Sequence, residues 1–329
     1  MKGFDPKWAD PPDYIIGITR EIWEDRGIAT LDHYYGPQMP VRSPSSIVVG
    51  NRNVVAATMA TLAEFPDRAL LGEDVIWCDA AAGGFLSSHR LLSTATHTRP
   101  GVYGAPTGKR LSYRIIADCY AVENQIRDEW LIRDQGAIVR QLGQQPRDYA
   151  RDLIAREGGP DNCVRPYLPE NDVAGPYDGT GNDNEWGQRY ADILTRIMNA
   201  DLTVIPAAYD RAAIGAYPGG VTALSWGEID QFWIGLRAAL PSARFTIHHA
   251  IGRHDPMMSP RAAVRWSLDG TLDGWGVFGA PSGARVHVMG LSHAEFGTLG
   301  KAAPTLRRDF TLFDETAIWK QILLQTGDL

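Results

Sequence analysis

Apolar positions along the chain fall first into helical spacing and then into strand alternation, and this order occurs twice. Ile15, Ile18 and Ile22 mark one face of a helix, as do Tyr190, Ile193 and Ile197 further on. A second helix is expected over Asn53–Glu64 and again over Glu228–Ala239. Each stops where Phe65-Pro66 or Leu240-Pro241 forbids continuation. Strand patterns follow: FLSSHRLLSTATH against AVRWSLDGTL, then KRLSYRIIADCYAV against ARVHVMGLSHAEF. The last pair is IRDEWLIRDQGAIVRQL against LRRDFTLFDETAIWKQI. Helices first and antiparallel strands afterwards predict an α+β layer, with helices covering one face of a curved sheet.

The doubling is in register. VYGAPTGKRLSY (Val102–Tyr113) returns as VFGAPSGARVHV (Val277–Val288), 175 positions later. The same shift pairs Ile18 with Ile193, Tyr34 with Tyr209 and Arg90 with Arg265, and a shift of 180 pairs Asp134 with Asp314. Self-similarity at a fixed displacement means a repeated domain. We expect a first domain over 1–143, a connector over 144–184 and a second domain over 185–329. The five extra residues of copy two are assigned to the hairpin around Phe296–Pro304. The connector has room for a helix at Pro146–Glu157. Beyond it the chain is dense in Gly, Pro, Asn and Asp, a composition that suits either an irregular linker or a lid.

The repeated Gly-Ala-Pro-Thr/Ser-Gly phrase is a turn between strands. Gly108-Lys109 imitates the end of a phosphate-binding loop, but Tyr103 stands where that motif needs Gly and a strand follows instead of a helix.

Composition narrows the partners. The 329 residues are 44% hydrophobic and 22% charged, enough for two cored domains. A formal charge of -7 argues against nucleic acid or an anionic membrane as partner. No apolar run is long enough to span a bilayer, and no apolar leader opens the chain, so a cytoplasmic location is the expectation. Three scattered cysteines suggest neither a disulfide framework nor a zinc site. His248-His249 would face opposite sides of a strand and so would not grip one ion.

EIW (Glu21–Trp23), FPD (Phe65–Asp67), THT before GAPTGKR, and IRDEWLIRDQGAIVRQLG together resemble the SnoaL-like polyketide cyclases. They also resemble the ester-cyclase-like proteins of the nuclear-transport-factor-2-like superfamily. The likeness runs over most of Tyr14–Gly143 and more weakly over Glu185–Leu324. It implies two tandem cone-shaped domains, each with about three helices on a strongly bent antiparallel sheet and a pocket at the wide end. It further implies cofactor-independent acid/base chemistry on a carbonyl compound, performed by an Asp on the final strand. Matching that strand places Leu131 and Thr311 at the acid's position, and neither moves a proton as a carboxylate does.

Strand parity offers substitutes. Arg127, Glu129 and Arg133 share the side of Leu131, and Arg307, Asp309 and Phe313 share that of Thr311. Glu129 is the candidate acid/base in a greasy cone, or else half of a structural ion pair. His97 matches the family's strand histidine and is a candidate partner for it. Asp134 and Asp314 match a recurring family Asp, as catalytic groups or as helix caps. Trp23, Tyr34, Tyr113, Arg127, Leu131, Asp309 and Thr311 are the candidate ligand contacts.

The resulting reading is a cyclase, isomerase or lyase acting on a small apolar or aromatic carbonyl ligand, with neither cofactor nor metal. A non-catalytic binding protein is the alternative, and epoxide hydrolysis a lesser one. Two fused copies would form an intrachain pseudo-dimer, with a homodimer of the whole chain as a further option, and the pocket of copy one is expected to be the working one.

Overall fold

A computed structural model describes residues 1–297 and 304–329, so the insertion expected around Phe296–Pro304 lies largely outside the described residues. Within them the chain folds as two tandem α+β units, each built on a six-stranded sheet. The first contains β1 (Pro40–Ser43), β2 (Ser46–Val49), β3 (Ala69–Asp79), β4 (Phe85–Thr96), β5 (Arg110–Val122) and β6 (Gln125–Arg133), in the order β2-β1-β6-β5-β4-β3. The second repeats that order with β7 (Tyr209–Tyr217), β8 (Val221–Ala223), β9 (Arg244–Arg253), β10 (Arg261–Thr271), β11 (Arg285–Gly297) and β12 (Thr305–Leu312). Neighbours are antiparallel except β1 with β6 and β7 with β12, which run parallel.

The helices of the first unit are α1 (Pro11–Thr19), α2 (Leu31–Tyr34), α3 (Asn51–Glu64) and α4 (Gln135–Leu142), with α5 (Pro146–Arg156) in the connector. The second has α6 (Glu185–Met198), α7 (Val204–Ala208), α8 (Trp226–Ala239) and α9 (Glu315–Thr326). Their starts are written locally. Asp10, Asn184 and Ser225 each accept a backbone N–H at the N-cap of α1, α6 and α8. The last sequence pattern divides at Asp134 and Asp314 into a strand and a helix. These residues follow β6 and β12 and cap α4 and α9.

One face of each sheet packs on its helices; the other faces the partner sheet. Ile76, Leu86, Ile251 and Ala263 form one apolar cluster between them, and Ile116, Ile132, Met289 and Leu291 another. The polar contacts obey the repeat. Arg90 reaches His293 Nδ1 at 3.3 Å, and Arg265 reaches Asp118 Oδ2 at 3.2 Å. Arg90 matches Arg265 and Asp118 matches His293 under the shift of 175, so each half offers the other the same patch. The Arg265–Asp118 pair is buried, and removing only the cation leaves a buried carboxylate alone. Arg265→Met should therefore cost about 3–5 kcal/mol in urea unfolding, with Arg265→Met/Asp118→Leu recovering most of it. Equal losses in the single and double variants would count against this account.

The connector runs along both sheets. After α5 packs on α9 through Ala150, Ile154 and Leu323, Tyr167 N donates to Pro44 O at 3.0 Å. Arg42 then donates to Asp172 at 2.5 Å, and Tyr177 Oη meets His249 Nε2 at 2.6 Å. No helix among the described residues is long and apolar enough to cross a membrane.

Candidate active site

The first unit encloses a cavity of about 270 Å³ between α1, α3 and the sheet. Ile18, Val54, Leu70, Leu91 and Ile115 make its walls mainly apolar, and Trp23 and Leu131 line it as expected. Glu129 lines it too. The carboxyl is buried, which pushes its pKa up to about 7, while a hydrogen bond from Tyr35 pulls the other way and the adjacent Asp128 pushes further up. A carboxyl balanced near neutrality can accept or return a proton at ordinary pH. His89, also on the wall, is pushed down to about 4 by burial, so its imidazole is neutral. It contacts Ser87 Oγ through Nδ1 at 3.4 Å.

Other expected contacts stand elsewhere. Tyr34 Oη donates to Glu21 at 2.6 Å and accepts from Lys7 at 2.9 Å, outside the cavity lining. The ladders explain the displacement. Tyr35 bridges Ile126 as Tyr209 pairs with Leu306, so the structural counterpart of Tyr209 is Tyr35, at a shift of 174. Arg127 fails for a related reason. Ile126 pairs with Ala121 and Asp128 with Tyr120, which leaves Arg127 as the extra residue of a β-bulge. The bulge resets the alternation, and Ile126, not Arg127, lines the cavity.

His97 is not brought to Glu129. Its ring is fully buried outside the cavity lining, with Nε2 3.2 Å from Glu64 Oε1 and Nδ1 3.2 Å from Thr107 Oγ1. Glu64 also accepts from the Val102 and Tyr103 backbone N–H groups, so this cluster fastens the Gly-Ala-Pro turn to the end of α3. Asp134 is likewise occupied. It accepts from Ala137 N at 2.9 Å and, across the interface, from Gly219 N at 2.8 Å and Gly220 N at 3.0 Å. Tyr113 lies buried beside the cavity, where burial works to raise its pKa but Arg68 and Arg133 outweigh that and lower it.

The equivalent interior of the second unit is filled. Asp309, the counterpart of Glu129, is fully buried and accepts from Tyr190 at 2.6 Å, Tyr209 at 2.7 Å and Tyr217 at 3.0 Å. Thr311 Oγ1 lies 3.4 Å from the same carboxylate and bonds Ser292 Oγ at 2.8 Å. The two units differ in a few bulky residues. Where the first has Thr58, Leu91 and Ser43, the second has Trp233, Trp266 and Tyr217, each with at most 2% exposure. Trp266 fits because Gly290 replaces Ile115 beneath it; a Cβ there would stand 2.2 Å from the indole.

No protein-family model matches the chain, and no curated protein matches it. Solved structures do. Wild-type IdmH from Streptomyces antibioticus, provisionally assigned as a polyketide cyclase, is 20% identical over 41% of this chain and 99% of its own, with a TM-score of 0.36. TsrD from Streptomyces laurentii is 17% identical over 41% of this chain and 98% of its own, at 0.35. A SnoaL-like polyketide cyclase from Agrobacterium tumefaciens is 19% identical over 40% of this chain and 93% of its own, at 0.31.

Proposed function

We propose that the first unit performs general acid/base chemistry on a small apolar or aromatic carbonyl compound, without a cofactor, and that the second unit is its structural support. The observation that carries this is Glu129: a buried carboxyl, balanced near pH 7, hydrogen-bonded by Tyr35 and facing an apolar cavity. In this reading the Glu129 carboxylate removes a proton from the carbon beside the carbonyl. The C–H electron pair becomes the enolate π bond, and the carbonyl π electrons move onto oxygen. Neutral His89 lines the same cavity and can donate a ring N–H to that oxygen. Return of the proton at a different carbon completes an isomerisation; attack of the enolate carbon on a second carbonyl, whose π electrons move onto its oxygen and whose oxygen takes the proton back from Glu129, completes a ring closure. The apolar walls exclude water, which keeps the enolate from quenching.

The test is deuterium wash-in at the α-carbon of 2-tetralone in D2O, followed by mass spectrometry. The wild type should accelerate exchange, and Glu129→Gln should lose about 10²-fold or more. Equal exchange in both would remove Glu129 from this role.

Binding without chemistry is the second reading. It is favoured by Leu131, which stands where the resembled cyclases keep their acid. Saturable binding of 2-tetralone with no exchange above background would select it.

A further inference from the structure

Two guanidinium groups line the cavity, and among the described residues neither is in salt-bridge contact with a carboxylate. Arg68 immediately precedes β3 and is buried, and Arg133 ends β6. The Nε of each is buried without a hydrogen-bond partner. Arg68 shares a hydrogen bond with the Tyr113 phenol and Arg133 with the Tyr103 phenol. Asp314 also reaches the cavity rim and acts on Arg133 from further off, but its Oδ1 is committed to Thr316 and Ala317 at the start of α9.

The rest of the chain treats buried arginines differently. Arg42 has Asp128 and Asp172, Arg90 has Glu73 and Glu295, Arg261 has Asp74 and Asp255, and Arg265 has Asp118. A buried cation without a counter-charge is costly, and a guanidinium fork matches a carboxylate in two parallel hydrogen bonds. In the second unit Ala243 stands in the place of Arg68, so the charge belongs to the open cavity and not to the fold that both units share.

We propose that the cavity takes a ligand bearing a carboxylate on an apolar or aromatic body, with the carboxylate held by Arg68 and Arg133 and the far end of the body at Glu129. This deepens the acid/base reading of the same cavity and rests on it for the role of that far end. The strand supplies a ruler. Glu129, Leu131 and Arg133 face the cavity in alternation, so the two charged positions are about 13 Å apart along β6, four residues at about 3.3 Å each. A fused two-ring body reaches from one towards the other.

Binding of 2-naphthoate and of methyl 2-naphthoate, compared by calorimetry, tests this. The wild type should prefer the acid by about 10-fold or more. Arg68→Met and Arg133→Met should each erase most of that preference while leaving the ester's affinity within about 3-fold. Thr58→Trp, which puts the second unit's own plug into the cavity, should abolish binding of both. Should a methionine variant fail to fold by circular dichroism, the lysine variants at the same positions take its place and should show an intermediate preference. A wild type that binds the ester as well as the acid overturns the proposal. So does failure to bind the acid at millimolar concentration, or acid binding that survives Thr58→Trp. Glu129→Gln separates the two readings: it should keep the preference for the acid whether or not 2-tetralone exchange depends on Glu129.

Discussion

Glu129→Gln is expected to make the protein more stable at pH 8, not less. Burial raises the Glu129 pKa from 4.5 to about 7, so the folded chain holds this proton more tightly than the unfolded chain does. The stability it contributes is fully present below about pH 4.5 and is lost as pH rises through about 7. A gap of about 2.5 pH units corresponds to about 3 kcal/mol. Glutamine mimics the protonated acid, and its amide oxygen can still accept from Tyr35. Urea unfolding should therefore show the variant ahead by about 2–3 kcal/mol at pH 8, with the difference gone by pH 4.5. Asp134 and Asp314, both pushed up to about 6 by burial, lose stability over their own range in the same direction. They are present in both proteins and cancel in the comparison. A variant that is less stable at pH 8 would mean that the fold favours the ionised carboxylate, and the acid/base assignment would lose its basis. A group whose ionisation the fold resists, in the cavity where chemistry is proposed, is the pattern expected when activity and stability pull apart.

Much of the architecture was legible because it was written twice. The shift of 175, the breaks at Phe65-Pro66 and Leu240-Pro241, and helices preceding strands lead to two α+β units without further help. Parity on β6 led to Glu129 for the same reason, since alternation is a rigid rule while the strand stays regular. The misses occur where a rule is interrupted locally. The bulge at Arg127 reverses the parity just before Glu129, and a local shift of 174 rather than 175 makes Tyr35, not Tyr34, the counterpart of Tyr209. His89 carried a usable signal: it alternates with Leu91 on β4 and so shares the cavity face. Asp134 caps α4, as the helix-cap reading of it expects, but its bonds across the interface were unreadable, as was the place of His97. Their partners, Gly219 and Gly220 for the one and Glu64 for the other, are fixed only by tertiary contact. The connector, weighed as a lid, lies against both sheets and contributes no residue to the cavity wall. That the second cone is solid was also hidden. Trp233, Trp266 and Tyr217 register in a sequence as aromatic mass, and only their positions over Asp309 and Gly290 make them a plug.

Because the two units share one frame, the plug should be transferable. Leu91→Trp with Ile115→Gly recreates the Trp266–Gly290 arrangement on β4 and β5, and Thr58→Trp recreates Trp233 on α3. The triple variant should fold with an unchanged far-ultraviolet spectrum, because the second unit already packs this set. It should lose all binding of 2-naphthoate and all exchange of 2-tetralone, because nothing remains for a ligand to occupy. The reverse change has a different cost. Trp266→Leu in the second unit deletes a fully buried indole over Gly290 and should destabilise by about 3 kcal/mol, since the rigid sheet cannot close the void. It should create no exchange activity, because Asp309 remains engaged by Tyr190, Tyr209 and Tyr217. Exchange that persists in the triple variant would place the chemistry outside the first unit's cavity. Exchange gained on opening the second unit would show that a carboxylate already bound by three phenols can still act as a base, and the contrast drawn between Glu129 and Asp309 would fall with it.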